Sequence, residues 1–216
     1  MKKAILFDLD GTLLDTAPDF AYCINTLLHE MEQSPIEASK LYTSISGGTH
    51  SMIKSTFGHL NNSLLLSQIK NEFLNRYLIY LGQFTQPFPG IIQLIDKLNK
   101  HDITWGIVTN KQTRFALPLI EKFKCLSSSK IIVCGDTLEK AKPHPDPLLY
   151  ACNQLNLDPQ QTYYLGDALN DAKASKQAGL LYLLAHYGYV DSNSDFSKWP
   201  SHTMIYHPNE VLKTIL

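Results

Sequence analysis

Two carboxylates and a glycine-containing turn follow the first apolar segment of the chain. The run Ala4–Phe7 is apolar, and Asp8, Asp10 and the pair Gly11-Thr12 come directly after it. A short apolar run with a polar, glycine-containing end predicts a buried strand that ends in a loop. Side chains alternate across a strand, so Asp8 and Asp10 point the same way if the extended conformation continues. Neighbouring carboxylates repel unless a cation, a proton or donors compensate, which indicates a metal site, an acid/base pair or both.

A second pair of carboxylates, Asp167 and Asp171, follows the apolar run Thr162–Gly166. An aspartate at a strand-to-helix junction often caps the helix, and this explains one member of the pair but not both. Several carboxylates that meet at one edge of a sheet suit a hard cation that prefers oxygen ligands, such as Mg²⁺. The two acidic motifs together therefore predict a divalent cation site.

Two further polar motifs allow more than one interpretation. Thr109-Asn110-Lys111 follows the run ITWGIVT, and its hydroxyl and backbone N–H groups could cradle a phosphate or simply begin a helix. Lys142 stands before Pro143 and Pro145, which stiffen the backbone and fix the direction of its ammonium. An ordinary exposed loop lysine is the alternative.

The elements that position these motifs alternate along most of the chain. Apolar, β-rich runs predict strands at 4–7, 103–109, 130–135, 162–166 and 180–185. Helical patterns lie between them at 90–100, 114–123, 147–156 and 171–179, with Pro118 predicting a kink or a late start in the second. This alternation predicts an α/β fold with a doubly wound parallel sheet, whose ligands bind beyond the carboxyl ends of the strands.

One segment breaks the alternation. From Thr16 to Gln83 the pattern is helical, and it ends at the stiff sequence Gln-Pro-Phe-Pro-Gly of 86–90. We therefore expect a core domain formed by 1–15 and 84–216 and an inserted α-helical cap domain formed by 16–83. Because the insert follows the acidic strand end directly, it could cover the site as a lid.

Composition narrows the class of protein. The 216 residues carry 19 basic and 20 acidic side chains, so no global field favours nucleic acid or an anionic membrane. The four cysteines show no CxxC spacing and are expected to be free thiols. Asp8 interrupts the apolar start too early for a secretory signal, and no run is long enough to cross a membrane. We expect a soluble, cytoplasmic protein, a monomer or homodimer, without nucleic acid or membrane partners.

Taken together and in this order, the four motifs resemble those of the haloacid dehalogenase-like (HAD) superfamily. ILFDLDGT, GIVTN, KPHP and LGDALND match its hhhhDxDGT, hhhT/SN, K-P and GDxxxD motifs, and the resemblance covers essentially the whole chain. The helical insert and the sequence DTAPD at 15–19 are similar to the phosphoglycolate phosphatase-like branch. Ala168 departs from relatives that often carry Ser, Thr or Asp, at a position not expected to bind metal.

The resemblance implies a Rossmann-like core and a Mg²⁺-dependent phosphomonoester hydrolase. It implies that Asp8 is the nucleophile and forms an aspartyl-phosphate, and that Asp10 is the general acid and base. It assigns the metal to Asp8, to the Asp10 carbonyl and to Asp167, with Asp171 as an outer or water-mediated ligand. The transferring phosphoryl group would be held by residues of the two remaining motifs, Thr109, Asn110 and Lys142.

The substrate is expected to be a small phosphorylated metabolite. The branch implies 2-phosphoglycolate, while WGIVTNK and CGDTL…KPHP are also similar to phosphatases of N-acetylmuramic acid 6-phosphate. Specificity would reside in the loop that contains Gly47, Gly48 and His50, and in the core loop 186–189, although Gly47-Gly48 could also be a plain interhelical turn. A phosphomutase would share every core motif, and a catalytically silent HAD-fold binding protein is the alternative of another class.

Overall fold

The apolar runs of the sequence form a parallel sheet. The computed structural model describes residues 3–190, 194–200 and 202–216. Its strands are β1 Ala4–Phe7, β2 Leu14–Asp15, β3 Gln86–Pro87, β4 Thr104–Val108, β5 Ile132–Val133, β6 Thr162–Gly166, β7 Leu181–Ala185 and β8 Thr203–Ile205. Within the described residues, six of them form one sheet in the order β5-β4-β1-β6-β7-β8, with every pair parallel, and β2 pairs with β3.

Helices fill the segments between the strands. The α-helices are α1 Ala17–Glu30, α2 Tyr42–Ile45, α3 Gly48–Phe57, α4 Ser63–Tyr80, α5 Ile91–Lys100, α6 Thr113–Glu121, α7 Asp146–Gln154, α8 Leu169–Ala178 and α9 Val211–Ile215. Short 3₁₀ turns lie at Ala38–Leu41, Gly58–Leu60, Lys124–Leu126, Pro159–Gln161, Phe196–Lys198 and Pro208–Glu210. The predicted α/β class with a parallel sheet is confirmed.

The strand order places a topological switch point at β1. From β1 the chain builds outward through β4 and β5, and it then returns to the other side of β1 to add β6, β7 and β8. Because parallel crossovers are right-handed, this reversal sends helices to opposite faces of the sheet. A crevice therefore opens beyond the carboxyl ends of β1, β4 and β6, where ligands bind in folds of this class.

The sheet is buried on both faces, which is why its strands have apolar rather than alternating sequences. Leu6, Val108 and Tyr164 belong to a buried cluster together with Leu148 of α7 and Ala172 of α8. In β1, the neighbouring side chains Ile5 and Phe7 point to the opposite face, where Phe7 meets the edge of Trp105 with ring centroids 6.0 Å apart. This packing holds the three strand ends at fixed positions.

The chain divides into two compact units. One comprises 1–15 and 87–216 and contains the parallel sheet, and the other comprises 16–86 and contains α1 to α4. The core of the second unit includes Phe20, Phe73 and Tyr77, and the Phe73 and Tyr77 rings are parallel with centroids 6.0 Å apart. Arg76 of α4 donates to Glu30 of α1 at 2.7 Å.

Asp19, in the first turn of α1, ties the start of the second unit to its end. Its carboxylate accepts hydrogen bonds from the N–H groups of Gly82 and Phe84 and from the hydroxyl of Thr85, each at 2.6 Å, and the residue is fully buried. These bonds hold the chain after α4 against the first turn of α1. The residues that Asp19 binds after α4 all lie within the second unit, which ends at Gln86.

Asp19→Asn is expected to destabilise the protein. The NH₂ group of the new amide would face the N–H or hydroxyl groups that donate to the carboxylate, and two donors cannot form a hydrogen bond with each other. Hydrogen bonds to charged groups contribute about 1.5–3 kcal/mol each, so we expect a loss of about 3 kcal/mol in the free energy of unfolding. Urea unfolding followed by circular dichroism measures it. The control is Glu72→Gln, which removes a half-exposed i,i+4 partner of Arg76 and should change stability by less than about 1 kcal/mol. Equal effects of the two substitutions would contradict the role given to Asp19.

Several local expectations need correction. Helix α6 begins at Thr113 and continues through Pro118, so the late start is wrong. Gly48 begins α3, so Gly48 and His50 lie in the first turn of a helix rather than in a loop. Strand β8 and helix α9 had not been predicted.

The four cysteines are unpaired, as expected. Among the residues that the structure describes, no helix combines the length and the apolar character needed to cross a bilayer.

Candidate active site

The carboxyl end of β1 carries Asp8 into a tight turn. The backbone N–H of Asp8 still donates to Leu165 of β6 at 2.9 Å, so its position is fixed by the sheet. The extended conformation then ends, because the N–H groups of Leu13 and Leu14 both donate to the carbonyl of Leu9 at 3.0 and 2.9 Å. Asp8 and Asp10 therefore lie on different parts of a folded loop and have different partners.

Three carboxylates meet at the switch point, two from the ends of β1 and β6 and one from the first turn of α8. Asp8, Asp167 and Asp171 each place an oxygen within 4.8 Å of the others, and this cluster could hold a metal ion. Asp167 follows β6 directly and is held by the hydroxyl of Thr12 at 3.3 Å and the N–H of Tyr189 at 3.0 Å. Three nearly buried carboxylate oxygens suit a hard divalent cation.

Gly11 makes this approach possible. Its φ of +80° is a conformation that residues with a Cβ rarely adopt, and a Cβ there would collide with the Asp167 carboxylate. The glycine in DxDGT thus allows the loop after β1 to reach the acidic side chain that follows β6.

Lys142 lies at the centre of the carboxylate cluster. Its Nζ is 2.7 Å from Asp171, 3.0 Å from Asp8 and 2.6 Å from the hydroxyl of Tyr164, and its side chain is 2% exposed. It also donates to the carbonyl of Val108 at 3.1 Å. One ammonium therefore bridges carboxylates from β1 and α8, and the Tyr164 phenol fixes its position.

Asp171 has two tasks at once. One of its oxygens accepts from the backbone N–H of Ala168 at 3.0 Å and caps the start of α8, while the other pairs with Lys142. The capping role that the sequence suggested for an aspartate here therefore belongs to Asp171. It coexists with membership of the charged cluster.

Asn110 binds the backbone of Lys142 through its side chain. Its amide N–H donates to the Lys142 carbonyl at 2.8 Å, and its amide oxygen accepts from the Lys142 N–H at 3.0 Å. Thr109 is nearly buried at the end of β4, and its hydroxyl accepts from the N–H of Lys111 at 3.1 Å. The side chain of Asn110 thus orients Lys142.

A second lysine reaches the site, and sequence reasoning had given it no role. Lys111 Nζ lies 2.9 Å from one oxygen of Asp10 and 3.2 Å from the other. The signal that could have found it is its place directly after Thr109-Asn110, at the end of the strand beside β1.

Burial and mutual repulsion disfavour the charged forms of these acids. Burial, with smaller contributions from the charges of Asp171 and Asp10, raises the pKa of Asp8 to about 7 although Lys142 opposes the shift. Burial and the charges of Asp171 and Asp8 raise the pKa of Asp167 well above its usual range. Burial opposes the charge of Lys142, but Asp171 and Asp8 outweigh it and raise the lysine pKa. The cluster thus has more negative charge than its lysine compensates, and a bound cation would stabilise it.

Three of the predicted specificity residues, Gly47, Gly48 and His50, lie in the second unit, and the predicted loop 186–189 lies in the first. Gly47, Gly48 and His50 are exposed at the start of α3, and the backbone of Gly48 has a φ of +71°.

The structure brings most of the predicted site residues together at one edge of the core sheet. They are Asp8, Asp10, Asp167, Asp171, Thr109, Asn110 and Lys142. The loop 186–189 contributes the N–H of Tyr189 to the same edge.

This fold with acidic loops after β1 and β6 and a lysine between them defines a class of hydrolase. The family model described as haloacid dehalogenase-like hydrolase matches residues 5–185. The chain belongs to this family, as its motifs had predicted.

The relatives are phosphatases. N-acetylmuramic acid 6-phosphate phosphatase of Pseudomonas aeruginosa is 34% identical, covering 99% of this chain and 94% of that protein. Phosphoglycolate phosphatase of Xylella fastidiosa is also 34% identical, with 96% and 90% covered. A crystal structure from Haemophilus somnus, described as a predicted phosphoglycolate phosphatase, superposes with a TM-score of 0.87 at 25% identity over 100% of this chain and 98% of that one. The chain is a phosphatase of this family.

Proposed function

We propose that this protein hydrolyses a small phosphomonoester in two steps through an aspartyl-phosphate on Asp8, with Mg²⁺ as cofactor. The observation that carries the proposal is the position of Asp8. Its carboxylate lies at the switch point of the sheet, 3.0 Å from the Lys142 ammonium and within a cluster of three carboxylates. A nucleophile, a positive charge for the phosphoryl group and a cation site are thus gathered in one crevice.

The donor set fits the proposed cofactor. Asp8, Asp167 and the backbone carbonyl of Asp10 would hold the ion, and Asp171, which pairs with Lys142 and caps α8, would act from the outer shell. When bound, Mg²⁺ offsets the negative charge that opposes the approach of a carboxylate to a phosphate dianion.

The chain's own residues then perform two displacements at phosphorus. In the first, an oxygen of Asp8 bonds to phosphorus and the bond from phosphorus to the leaving alkoxide breaks. Asp10 gives a proton to the alkoxide oxygen as it leaves. In the second, the oxygen of a water molecule bonds to phosphorus while Asp10 takes a proton from that water, and the bond between phosphorus and Asp8 breaks. Inorganic phosphate leaves and both carboxyl groups return to their initial states.

The phosphoryl oxygens would be held by the Thr109 hydroxyl, the backbone N–H of Asn110 and the Lys142 ammonium. The Asn110 side chain is occupied by Lys142, so its contribution to phosphate binding falls to its backbone. Charge that spreads over the phosphoryl oxygens in the transition state is stabilised by such preorganised donors.

The proposed substrate is 2-phosphoglycolate, in keeping with the names of several relatives. The second candidate is N-acetylmuramic acid 6-phosphate. The support for this second candidate is that a phosphatase named for that sugar phosphate matches almost the entire chain, including the segment 16–86.

A substrate panel tests the proposal. We expect one preferred ester when kcat/KM is measured for 2-phosphoglycolate, N-acetylmuramic acid 6-phosphate, sugar phosphates and p-nitrophenyl phosphate. Activity should be lost in EDTA and restored by Mg²⁺.

Ca²⁺ should inhibit, because it favours more ligands and looser geometry and would engage Asp8 in a non-attacking pose. Transfer of the phosphoryl group to a second position of a sugar phosphate would identify a phosphomutase instead. No turnover of any ester with Mg²⁺ would favour the catalytically silent alternative.

We also propose that the unit 16–86 serves as a cap that selects the substrate. The sequence supports this, because the unit is inserted directly after the loop that holds Asp8 and Asp10. His50→Ala should therefore alter the ranking of substrates more than the turnover of p-nitrophenyl phosphate. Unchanged relative kcat/KM values across the panel would instead indicate a helical unit that only stabilises the core.

Metal binding should change how stability depends on pH. Because folding raises the pKa of Asp8, the folded protein binds more protons than the unfolded chain between about pH 4 and about pH 7. In EDTA, the free energy of unfolding should thus fall as pH rises through this window. Mg²⁺ binds the carboxylate forms and should raise Tm more at pH 7.5 than at pH 5.

Differential scanning fluorimetry at both pH values measures this effect. Asp8→Asn is the matched variant, because it lacks the titrating group but keeps the side-chain volume, and its Tm in EDTA should fall less between pH 5 and pH 7.5. A Mg²⁺ effect of equal size at the two pH values would contradict the assignment of the cation to these carboxylates.

A further inference from the structure

Lys111 forms a close ion pair with Asp10 in the loop after β1, whereas Lys142 pairs with Asp8 and Asp171. Its Nζ reaches both oxygens of Asp10, at 2.9 and 3.2 Å. The Lys111 side chain is 5% exposed and that of Asp10 is 16% exposed. A nearly buried ammonium thus engages both oxygens of the proposed proton-transfer group.

The backbone of Lys111 is anchored on both sides. Its N–H donates to the Thr109 hydroxyl at 3.1 Å, and its carbonyl accepts from the N–H of Gly135 at 2.9 Å. A Cβ at Gly135 would collide with the carbonyl of Asn110, so the two loops are in close contact. The ammonium therefore extends from a fixed point at the end of β4.

The Asp10 carboxylate lies in a folded loop, close to the charge of Asp8. The charges of Asp8 and Asp10 repel each other, so a positive partner for Asp10 offsets part of this repulsion. Lys142 is engaged by Asp8 and Asp171. A contact to both oxygens restricts the side-chain torsions of Asp10 more than a contact to one oxygen would.

We infer that Lys111 is a positioning residue that holds the Asp10 carboxyl group in the orientation required for both proton transfers. The inference rests on the proposed two-step function. Lys111 takes part in no bond that is made or broken, and these bonds remain those at phosphorus and at Asp10. A competing role, the binding of an acidic group of the substrate, predicts different kinetics.

The test uses Lys111→Met and Lys111→Arg, with Lys97→Met on the exposed face of α5 as the matched control. Rapid-quench experiments with p-nitrophenyl phosphate and ethyl phosphate separate the formation of the phosphoenzyme from its hydrolysis. p-Nitrophenolate leaves without a proton, so its release in the first turnover should change less than about threefold in Lys111→Met. Hydrolysis of the phosphoenzyme and its formation from ethyl phosphate should both fall by about tenfold to a hundredfold, since positioned acid–base groups contribute about 10²–10⁴-fold.

Two further measurements separate positioning from a general structural effect. Lys111→Arg, which keeps the positive charge, should recover at least half of the lost rate on a logarithmic scale. In the double variant Asp10→Asn/Lys111→Met, both steps should be no slower than in Asp10→Asn alone, because Lys111 acts through Asp10.

Three results would overturn the inference. They are equal losses in both steps with both esters, additive losses in the double variant, and weaker binding of 2-phosphoglycolate with unchanged rates for both steps. The last would assign Lys111 to the substrate. If Asp10→Asn accumulates no phosphoenzyme with p-nitrophenyl phosphate, the two-step function itself fails, and the inference fails with it.

Discussion

Asp8→Asn is expected to abolish turnover while the protein stays folded. The amide retains the volume of the side chain but is a far poorer nucleophile and a weaker ligand for a cation. The first displacement at phosphorus should therefore stop, and kcat for p-nitrophenyl phosphate should fall by at least about four orders of magnitude. In EDTA at pH 7.5 the variant should be at least as stable as the wild type, because it removes a carboxylate whose charge is disfavoured by burial.

The measurements are steady-state hydrolysis, phosphoenzyme trapping and thermal unfolding on the same preparation. Asp96→Asn, on the exposed side of α5, is the matched control and should leave all three unchanged. A folded Asp8→Asn protein that keeps phosphatase activity well above background, or that still traps phosphate covalently at position 8, would eliminate the proposed nucleophile.

The sequence predicted the interior of the fold better than its edges. Strands β1 and β6 have the predicted bounds, because continuous apolar runs with abrupt polar ends occur only where a strand is buried on both faces. At one end of the sheet, β5 comprises only Ile132–Val133, although the apolar run suggested 130–135. A strand with one neighbour has fewer ladder bonds to extend it, and sequence pattern does not show where pairing stops.

The last part of the chain was the least predictable. Strand β8 has three residues and α9 has five, and both are too short to show a hydrophobic period. They form because β7 offers an open edge, with Leu184 opposite Met204, and because α9 packs near α5. Both elements therefore depend on contacts with distant parts of the chain, which a local sequence pattern does not show.

For the candidate site, the sequence indicated which residues stand at strand ends but not which of them bind each other. Lys111 and Asp10 are 101 positions apart, and Asn110 and Lys142 are 32 apart. Tyr164 looked like an ordinary apolar strand residue, yet its hydroxyl contacts Lys142. Such pairs depend on strand order, and the sequence pattern left that order open.

Lys142→Met is expected to cause the second largest effect, on both activity and stability. The substitution removes the ammonium that lies between Asp8 and Asp171, so two buried carboxylates lose their shared partner. Breaking a buried ion pair by removal of one member destabilises proteins by about 3–5 kcal/mol, because the remaining charge is left uncompensated. The phosphoryl group would also lose a positive charge in the transition state, and kcat should fall by at least about a hundredfold.

Urea unfolding and p-nitrophenyl phosphate hydrolysis measure the two effects, with Lys140→Met as the control because Lys140 is exposed two positions earlier. Mg²⁺ should recover part of the lost stability, since a divalent cation at the same carboxylates replaces some of the missing charge. It should not recover the rate, because the cation cannot occupy the position from which the ammonium reaches Tyr164, Asp171 and Asp8 at once. A Lys142→Met enzyme with wild-type stability in EDTA would show that the carboxylates do not depend on this lysine. The stability of the site would then come mainly from the hydrogen bonds that hold Asp167 and Asp171.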